Sequence, residues 1–269
     1  MYLEYFGLKE LPFNITPDPR FLFFSAQHRE AFDHLLYGIE NRKGFIELTG
    51  EVGSGKTTLC RAVLANLSKK IHTALVLNPT VSGTQLLRAI LNDFGLHVVG
   101  RDRLSHIEQL NAFLLGQMKE GNNVAVIIDE AQDLTPEVME QVRLLSNLET
   151  DQHKLMQIVL AGQPELRKRL DRPELRQLKQ RIMVRCNLQP LTEEETGQYI
   201  GHRLKVAGAK PQVGLDHEAV KLVYSYAKGI PRVINSVCDR VMMAGYVAGK
   251  LMIGAPEVRK ALADMEAVE

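Results

Sequence analysis

The sequence predicts an α/β fold, a parallel sheet covered on both faces by helices and followed by a smaller all-helical part, and three observations carry that expectation. Thr49-Gly50-Glu51-Val52-Gly53-Ser54-Gly55-Lys56-Thr57-Thr58-Leu59 holds a phosphate-loop pattern. A β-rich run, Gly44 to Thr49, precedes it, and Leu59, Val63 and Leu67 follow at helical spacing. Val124 to Ile128 is a continuous apolar run, as expected of a strand buried on both faces, and it ends in Asp129-Glu130. After Pro190 the alternation of strand and helix gives way to helices alone.

Taken in order, Tyr2 to Phe24 is rich in aromatics and prolines and reads as an irregular segment over a core, or as a wall of a base pocket. Ser25 caps a helix from Ala26 to Asn41, and Gly44 opens the strand before the phosphate loop. A second strand, His72 to Leu77, ends at Asn78-Pro79, and helices cover Thr84 to Phe94 and Leu104 to Lys119. Beyond the acid pair, Asp133 reads as a cap or turn residue, and Thr135-Pro136 starts a helix to about Leu148. Leu155 to Ala161 and Ile182 to Leu188 are the last two strands. Thr192 to Glu195 is a capping box opening a helix to Val206; Asp216 caps the next, and further helices run from Arg232 to Ala248 and from Pro256 to about Met265. The boundary falls near Leu191, giving a nucleotide-binding part over 1–190 and a helical part over 191–269.

Composition bounds the partners. With 45% hydrophobic and 24% charged residues the chain has the make-up of an ordinary globular protein, and its net charge of +1 gives no overall basic field of the kind that announces a nucleic-acid binder. Cys60, Cys186 and Cys238 are odd in number and widely spaced, without a pairing or metal pattern, which fits a reducing cytoplasm. No apolar run approaches the roughly 20 residues that cross a bilayer, and Met1 to Glu10 lacks the features of a signal peptide. The chain is therefore expected to be cytoplasmic, reaching the inner membrane only through a partner.

The expected chemistry follows from the loop and the acids. A strand–loop–helix of this kind turns the backbone N–H groups of Val52, Gly53, Ser54, Gly55, Lys56, Thr57 and Thr58 onto a phosphate at a helix N-terminus, where the dipole favours anions. Lys56 supplies a point charge to the β- and γ-phosphates of ATP or ADP, and Thr57 offers a hydroxyl to Mg²⁺. Asp129 holds the same metal through water, and Glu130 orients and deprotonates the attacking water. Gln163 follows a neighbouring apolar strand and either senses the γ-phosphate or holds the water, or simply caps the helix before Pro164. Arg167, Arg169, Arg172, Arg176, Arg181 and Arg185 form either a solvated face or a source of one arginine delivered in trans to another subunit's nucleotide.

With Gly50 to Thr57, Ile128-Asp129-Glu130, Arg181 and Gly229-Ile230-Pro231-Arg232 in order, the chain resembles the AAA+ ATPases over essentially its whole length. That likeness implies a five-stranded parallel P-loop NTPase sheet of order 5-1-4-3-2 with an all-α lid. It also implies Arg232 as the lid arginine touching the γ-phosphate, Gln163 in the place of the usual sensor asparagine, and Arg181, with Arg176 second, as arginine finger. The stretches "GFIELTGEVGSGKTTLCR", "LAGQPEL" and "GIPRVIN", with the N-terminal "MYLEYFGLKELPFNITPDPRFLFFSAQHREAFDHLLYGI", look like the ExeA/GspA group of secretion ATPases. In secretion members of that group a membrane span and a peptidoglycan-binding domain usually follow. The chain to Glu269 holds neither, and so looks still more like the short ATPases encoded with exosortase/PEP-CTERM and exopolysaccharide loci, or the pilus-assembly relatives.

The resemblance implies a Mg²⁺-dependent ATPase that forms a homo-oligomer with ATP and drives or regulates assembly of an envelope secretion, pilus or export system. The group is also related to the transposition ATPases TnsC and TniB, which leaves an ATP-dependent DNA-binding regulator as the alternative.

Overall fold

The computed structural model describes residues 2–77, 79–150 and 154–266; the sequence readings that touch Met1, Asn78 and residues 267–269 lie outside them. Five strands, β1 (Phe45–Gly50), β2 (Ile71–Val76), β3 (Asn123–Ile128), β4 (Gln157–Gly162) and β5 (Ile182–Leu188), form one sheet in the order β2-β3-β4-β1-β5. All four pairings are parallel, so the expected order is the observed one. The helices in chain order are α1 (Tyr2–Phe6), α2 (Ala26–Glu40), α3 (Lys56–Asn66), α4 (Gly83–Asp93), α5 (Arg103–Lys119), α6 (Pro136–Leu145), α7 (Pro164–Leu170), α8 (Arg176–Arg181), α9 (Glu193–Val206), α10 (His217–Ala227), α11 (Pro231–Val247) and α12 (Ala255–Glu266). Two further short strands, β6 (Gly214–Leu215) and β7 (Met252–Ile253), pair in parallel inside the helical part. At two residues each they are too short for a period-two pattern, and the sequence did not signal them.

The described residues gather into two compact units. One takes in residues 29–50 and 59–188 and is the sheet with its covering helices. Strands β1, β3 and β4 are buried at every position, which is why Val124 to Ile128 and Leu155 to Ala161 read as apolar runs rather than alternations. Helix α4 starts on a full capping box between Ser82 and Gln85, and α6 on Thr135 with Pro136 in its first turn. A carboxylate on an interior strand interrupts the apolar core of this unit. Glu47 on β1 is 1% exposed and pairs with Arg167 of α7 at 2.8 Å and Arg185 of β5 at 3.6 Å. A buried charge of this kind is kept only where cations meet it.

The other unit takes in residues 1–28, 51–58 and 189–269. Its core joins Ile200, Leu204, Val237, Cys238, Val241 and Met242 of the helical part to Tyr2, Phe6, Leu8, Phe13 and Phe21 of the N-terminal segment. That segment opens as a helix instead of running irregularly throughout, because Tyr2 and Phe6, one turn apart, share a buried face. Arg203 on α9 ties it down. Its guanidinium donates to the carbonyls of Pro12 (2.5 Å) and Asn14 (2.9 Å) and to the Tyr199 hydroxyl (2.8 Å), and it lies over the Phe21 ring.

Elsewhere the elements sit within a few residues of their sequence positions. Helix α6 stops at Leu145, where Ser146 bonds the Arg143 carbonyl and turns the chain. Cys60, Cys186 and Cys238 are buried, and none forms a disulfide among the described residues. Among the described residues no helix is long and apolar enough to cross a membrane.

Candidate functional site

The phosphate loop is built by its glycines. Gly53 (φ 77°) and Gly55 (φ 100°) take left-handed angles that favour glycine, and Ser54 N–H donates to the Glu51 carbonyl at 3.1 Å to close the turn between them. Lys56 begins α3, is 5% exposed, and its Nζ donates to the Glu51 carbonyl at 3.0 Å. A phosphate entering the loop competes with that carbonyl for the ammonium. Val52 is half exposed, Ser54 is buried, and Thr57 and Thr58 lie on the first turn of α3, where the helix dipole adds to the loop's own donors.

Arg232 meets this loop. Lys228 ends α10 in the left-handed region (φ 51°) and Gly229 continues it (φ 75°); there a Cβ would lie 1.9 Å from the Leu191 carbonyl oxygen, so only glycine fits. Leu191 N–H in turn donates to the Gly229 carbonyl at 2.9 Å. Pro231 then starts α11, and Arg232 N–H donates to the Gly53 carbonyl at 3.2 Å. The Arg232 side chain is exposed.

The acids lie at the carboxyl end of β3. Asp129 is 2% exposed, and its Oδ1 accepts the Glu130 N–H at 3.0 Å. Glu130 is itself left-handed (φ 50°, ψ 37°), a costly conformation for a residue with a Cβ and one concentrated at functional sites. Gln132 holds it: Nε2 donates to Glu130 Oε2 at 2.8 Å while Oε1 accepts the Gln163 N–H at 3.0 Å. The Gln163 side-chain amide stands 3.5 Å from the same Glu130 oxygen, at the outer limit of a hydrogen bond. It makes no cap bond to α7, although Gln163 occupies the capping position. Glu130, Gln132 and Gln163 therefore form one connected polar group at the ends of β3 and β4. Gln132 is the member that sequence reading missed, since a glutamine two residues after an acid carries no pattern.

The arginine-rich stretch is largely engaged within its own unit. Arg167 and Arg185 face Glu47, Arg169 donates to the Gln132 and Leu134 carbonyls, and Arg181 donates to Ser146 Oγ and to Asn147 Oδ1 at 2.7 Å. Arg176 is exposed, and Asp133 is exposed in the turn after Glu130.

The residues present suit a magnesium nucleotide. The loop's two positive-φ glycines, Gly53 and Gly55, give it the backbone angles that such a phosphate-binding turn needs, and the start of α11 packs against Gly53 so closely that a Cβ there would lie 2.4 Å from Arg232 Cβ. No cluster of three or more metal-binding side chains occurs among the described residues. Magnesium needs none, because it is held by one or two protein oxygens together with substrate phosphates.

A parallel sheet of order β2-β3-β4-β1-β5 with a glycine loop after β1, acids after β3 and a helical C-terminal part defines a P-loop NTPase of the AAA+ class. Residues 39–170 match the family model described as AAA domain. Over 250 residues the chain is 43% identical to General secretion pathway protein A of Aeromonas hydrophila, in an alignment covering 93% of this chain and 46% of that protein. The chain is thus an AAA+ protein of the ExeA/GspA group, and it spans less than half the length of that relative.

The fold neighbours are more distant. The Aeropyrum pernix ORC2 protein, solved as ADPNP–ADP complexes, superposes with a TM-score of 0.74 at 18% identity, covering 97% of this chain and 73% of that one. The Thermotoga maritima RuvB Holliday junction branch migration motor gives 0.58 at 19% identity, covering 87% and 68%. Both bear on the fold alone.

Proposed function

We propose that this protein binds and hydrolyses ATP with Mg²⁺ and uses the nucleotide cycle to drive or regulate assembly of a bacterial envelope secretion, pilus or export system. The observation that carries the hydrolytic part is the Glu130 carboxylate, fixed by Gln132 at the end of β3 in a conformation its backbone adopts only at a cost. Lys56, Thr57 and Asp129 bind phosphate and metal, and Glu130 activates water. The side chain of Arg232 reads the γ-phosphate from the start of α11, and Gln163 supports the water beside Glu130. The 43% identity to General secretion pathway protein A supports the secretion setting, at the inner face of the membrane through a partner.

The engagement of Arg167, Arg169, Arg181 and Arg185 by partners in their own unit weighs against a DNA-coating surface in that stretch. It also means that Arg181 serves a neighbouring subunit only by leaving Ser146 and Asn147, whereas Arg176 is already exposed.

Steady-state phosphate release with Mg-ATP tests the proposal. Wild-type protein turns over, Lys56→Ala loses nucleotide binding, and Glu130→Gln binds Mg-ATP without turning it over. Normal turnover by Glu130→Gln overturns the assignment of the base. Light scattering of Glu130→Gln with Mg-ATP against Mg-ADP then reads ATP-dependent self-assembly; loss of the oligomer with Arg181→Ala, or with Arg176→Ala, identifies the arginine acting in trans. Salt-sensitive, ATP-dependent binding to duplex DNA is the result that would favour the transposition-regulator alternative.

A further inference from the structure

A buried histidine far from the phosphate loop in sequence is bonded to the loop's backbone. His28, in the first turn of α2, is 4% exposed, and its Nε2 lies 3.0 Å from the Ser54 carbonyl oxygen. On the other side of the ring, Nδ1 lies 2.8 Å from Ser25 Oγ, and Ser25 is also 4% exposed. A carbonyl oxygen only accepts, so Nε2 carries the hydrogen. In a neutral imidazole Nδ1 is then the acceptor, and the Ser25 hydroxyl donates to it. Ser25 Oγ is held in turn by the His28 backbone N–H at 3.3 Å. Burial lowers the pKa of the ring and favours this neutral form.

The consequence lies in the next peptide. In a planar trans peptide the carbonyl of one residue and the N–H of the following one point in opposite directions. With the Ser54 carbonyl turned to His28, the Gly55 N–H is turned the other way, away from the ring. Gly55 sits at φ 100°, and a Cβ there would lie 3.4 Å from His28 Nε2, so the ring also packs against this residue. The preceding carbonyl, that of Gly53, is fixed independently by Arg232 N–H. Two successive loop carbonyls are thus each held by a donor from outside the loop. A glycine-flanked peptide flips at little steric cost, so without such a donor the Ser54 carbonyl is free to turn inward, where its negative end would oppose a phosphate.

We infer that His28 is a positioning residue for nucleotide binding, holding the Ser54–Gly55 peptide so that its N–H rather than its carbonyl faces the β-phosphate. By this route the Ser25–His28 pair makes nucleotide affinity depend on the segment that precedes the sheet. The inference rests on the nucleotide-site reading above and adds to it a residue outside the loop motif.

The test is isothermal titration of the full chain with Mg-ADP, comparing wild type, His28→Leu and His28→Gln. Leucine fills the space without a donor; glutamine places an amide N–H where Nε2 stood. His28→Leu should bind Mg-ADP about tenfold more weakly, the loss of one hydrogen bond, and His28→Gln should recover to within about threefold of wild type. A role in packing alone would not distinguish the two variants in this way, and melting of each without nucleotide reports packing separately. Wild-type affinity in His28→Leu, or equal weakening in both variants, overturns the inference while leaving the nucleotide site intact. A wild-type protein that binds no Mg-ADP overturns the site reading and this inference with it.

Discussion

Gly53 and Arg232 are in contact through their backbones: the Gly53 carbonyl accepts the Arg232 N–H at 3.2 Å, and a Cβ at Gly53 would lie 2.4 Å from Arg232 Cβ. The start of α11 therefore packs on the phosphate loop at a spacing that admits glycine alone. Gly53→Ala meets both this overlap and a φ of 77°, and should lower stability by about 1–3 kcal/mol while weakening Mg-ADP binding. Thermal melting with and without Mg-ADP measures both. An alanine variant with unchanged melting and affinity would show that the loop and α11 separate freely.

Gln132→Ala removes the donor to Glu130 Oε2 and the acceptor for the Gln163 N–H together. If Glu130 is the base, turnover should drop about 10- to 100-fold, the usual cost of misplacing a catalytic group. Affinity for Mg-ATP should stay within about threefold, because Gln132 binds neither phosphate nor metal in the proposed site. Turnover at the wild-type rate would mean that Glu130 is held without it.

Arg203 fixes the N-terminal segment through a planar fork onto two carbonyls and a hydroxyl, with no carboxylate partner in that set. Lysine keeps the charge but cannot reproduce the fork. Arg203→Lys should cost about 2–4 kcal/mol, since buried carbonyls lose their donors. The urea midpoint measures the loss, and limited proteolysis should find new cleavage near Pro12 to Asn14. An unchanged midpoint would assign the anchoring to the aromatic residues Phe13 and Phe21 instead.

The pH dependence of stability has a definite sign near neutrality. Burial lowers the pKa of His28, against the opposing hydrogen bond to the Ser54 carbonyl and the charge of Glu195, and lowers that of His202, with Arg203 and Lys205 adding to the effect. In the unfolded chain both rings titrate near about 6.5. Below that pH the unfolded state takes up protons that the folded state refuses, so stability falls as pH drops through about 6.5 and does not change on this account above about 7.5. Melting temperatures from pH 8 to 5.5 should be flat and then decline, and the double variant His28→Gln, His202→Gln should flatten the decline. A wild-type curve that rises toward pH 5.5 would contradict the burial of the two rings.

Much of the fold was legible because it rests on local rules. The unbroken apolar run Val124 to Ile128 named β3 as a central strand, the β-rich run before the phosphate loop and the apolar run Leu155 to Ala161 fell on β1 and β4, and β5 occupies the expected Ile182 to Leu188. Thr135, Thr192 and Asp216 cap the helices they were expected to cap. The phosphate loop announced itself by spacing, and its glycines take the angles the motif needs. The sheet order and the assignment to the AAA+ class came from the resemblance that these motifs carry, since no periodicity within one strand encodes its neighbours.

By itself, then, the sequence determined which segments are strand or helix, where phosphate can be bound, and which acids stand at the end of a buried strand. Tertiary structure alone decided where the side chains between those segments go. Arg181, a reading from the run of arginines, turns to Ser146 and Asn147; Gln132 bridges two strand ends; His28 reaches a carbonyl 26 residues away. The physical reason is one of range. Propensity, periodicity and capping act over a few residues, whereas a buried polar group must find its partner wherever the packed chain provides one.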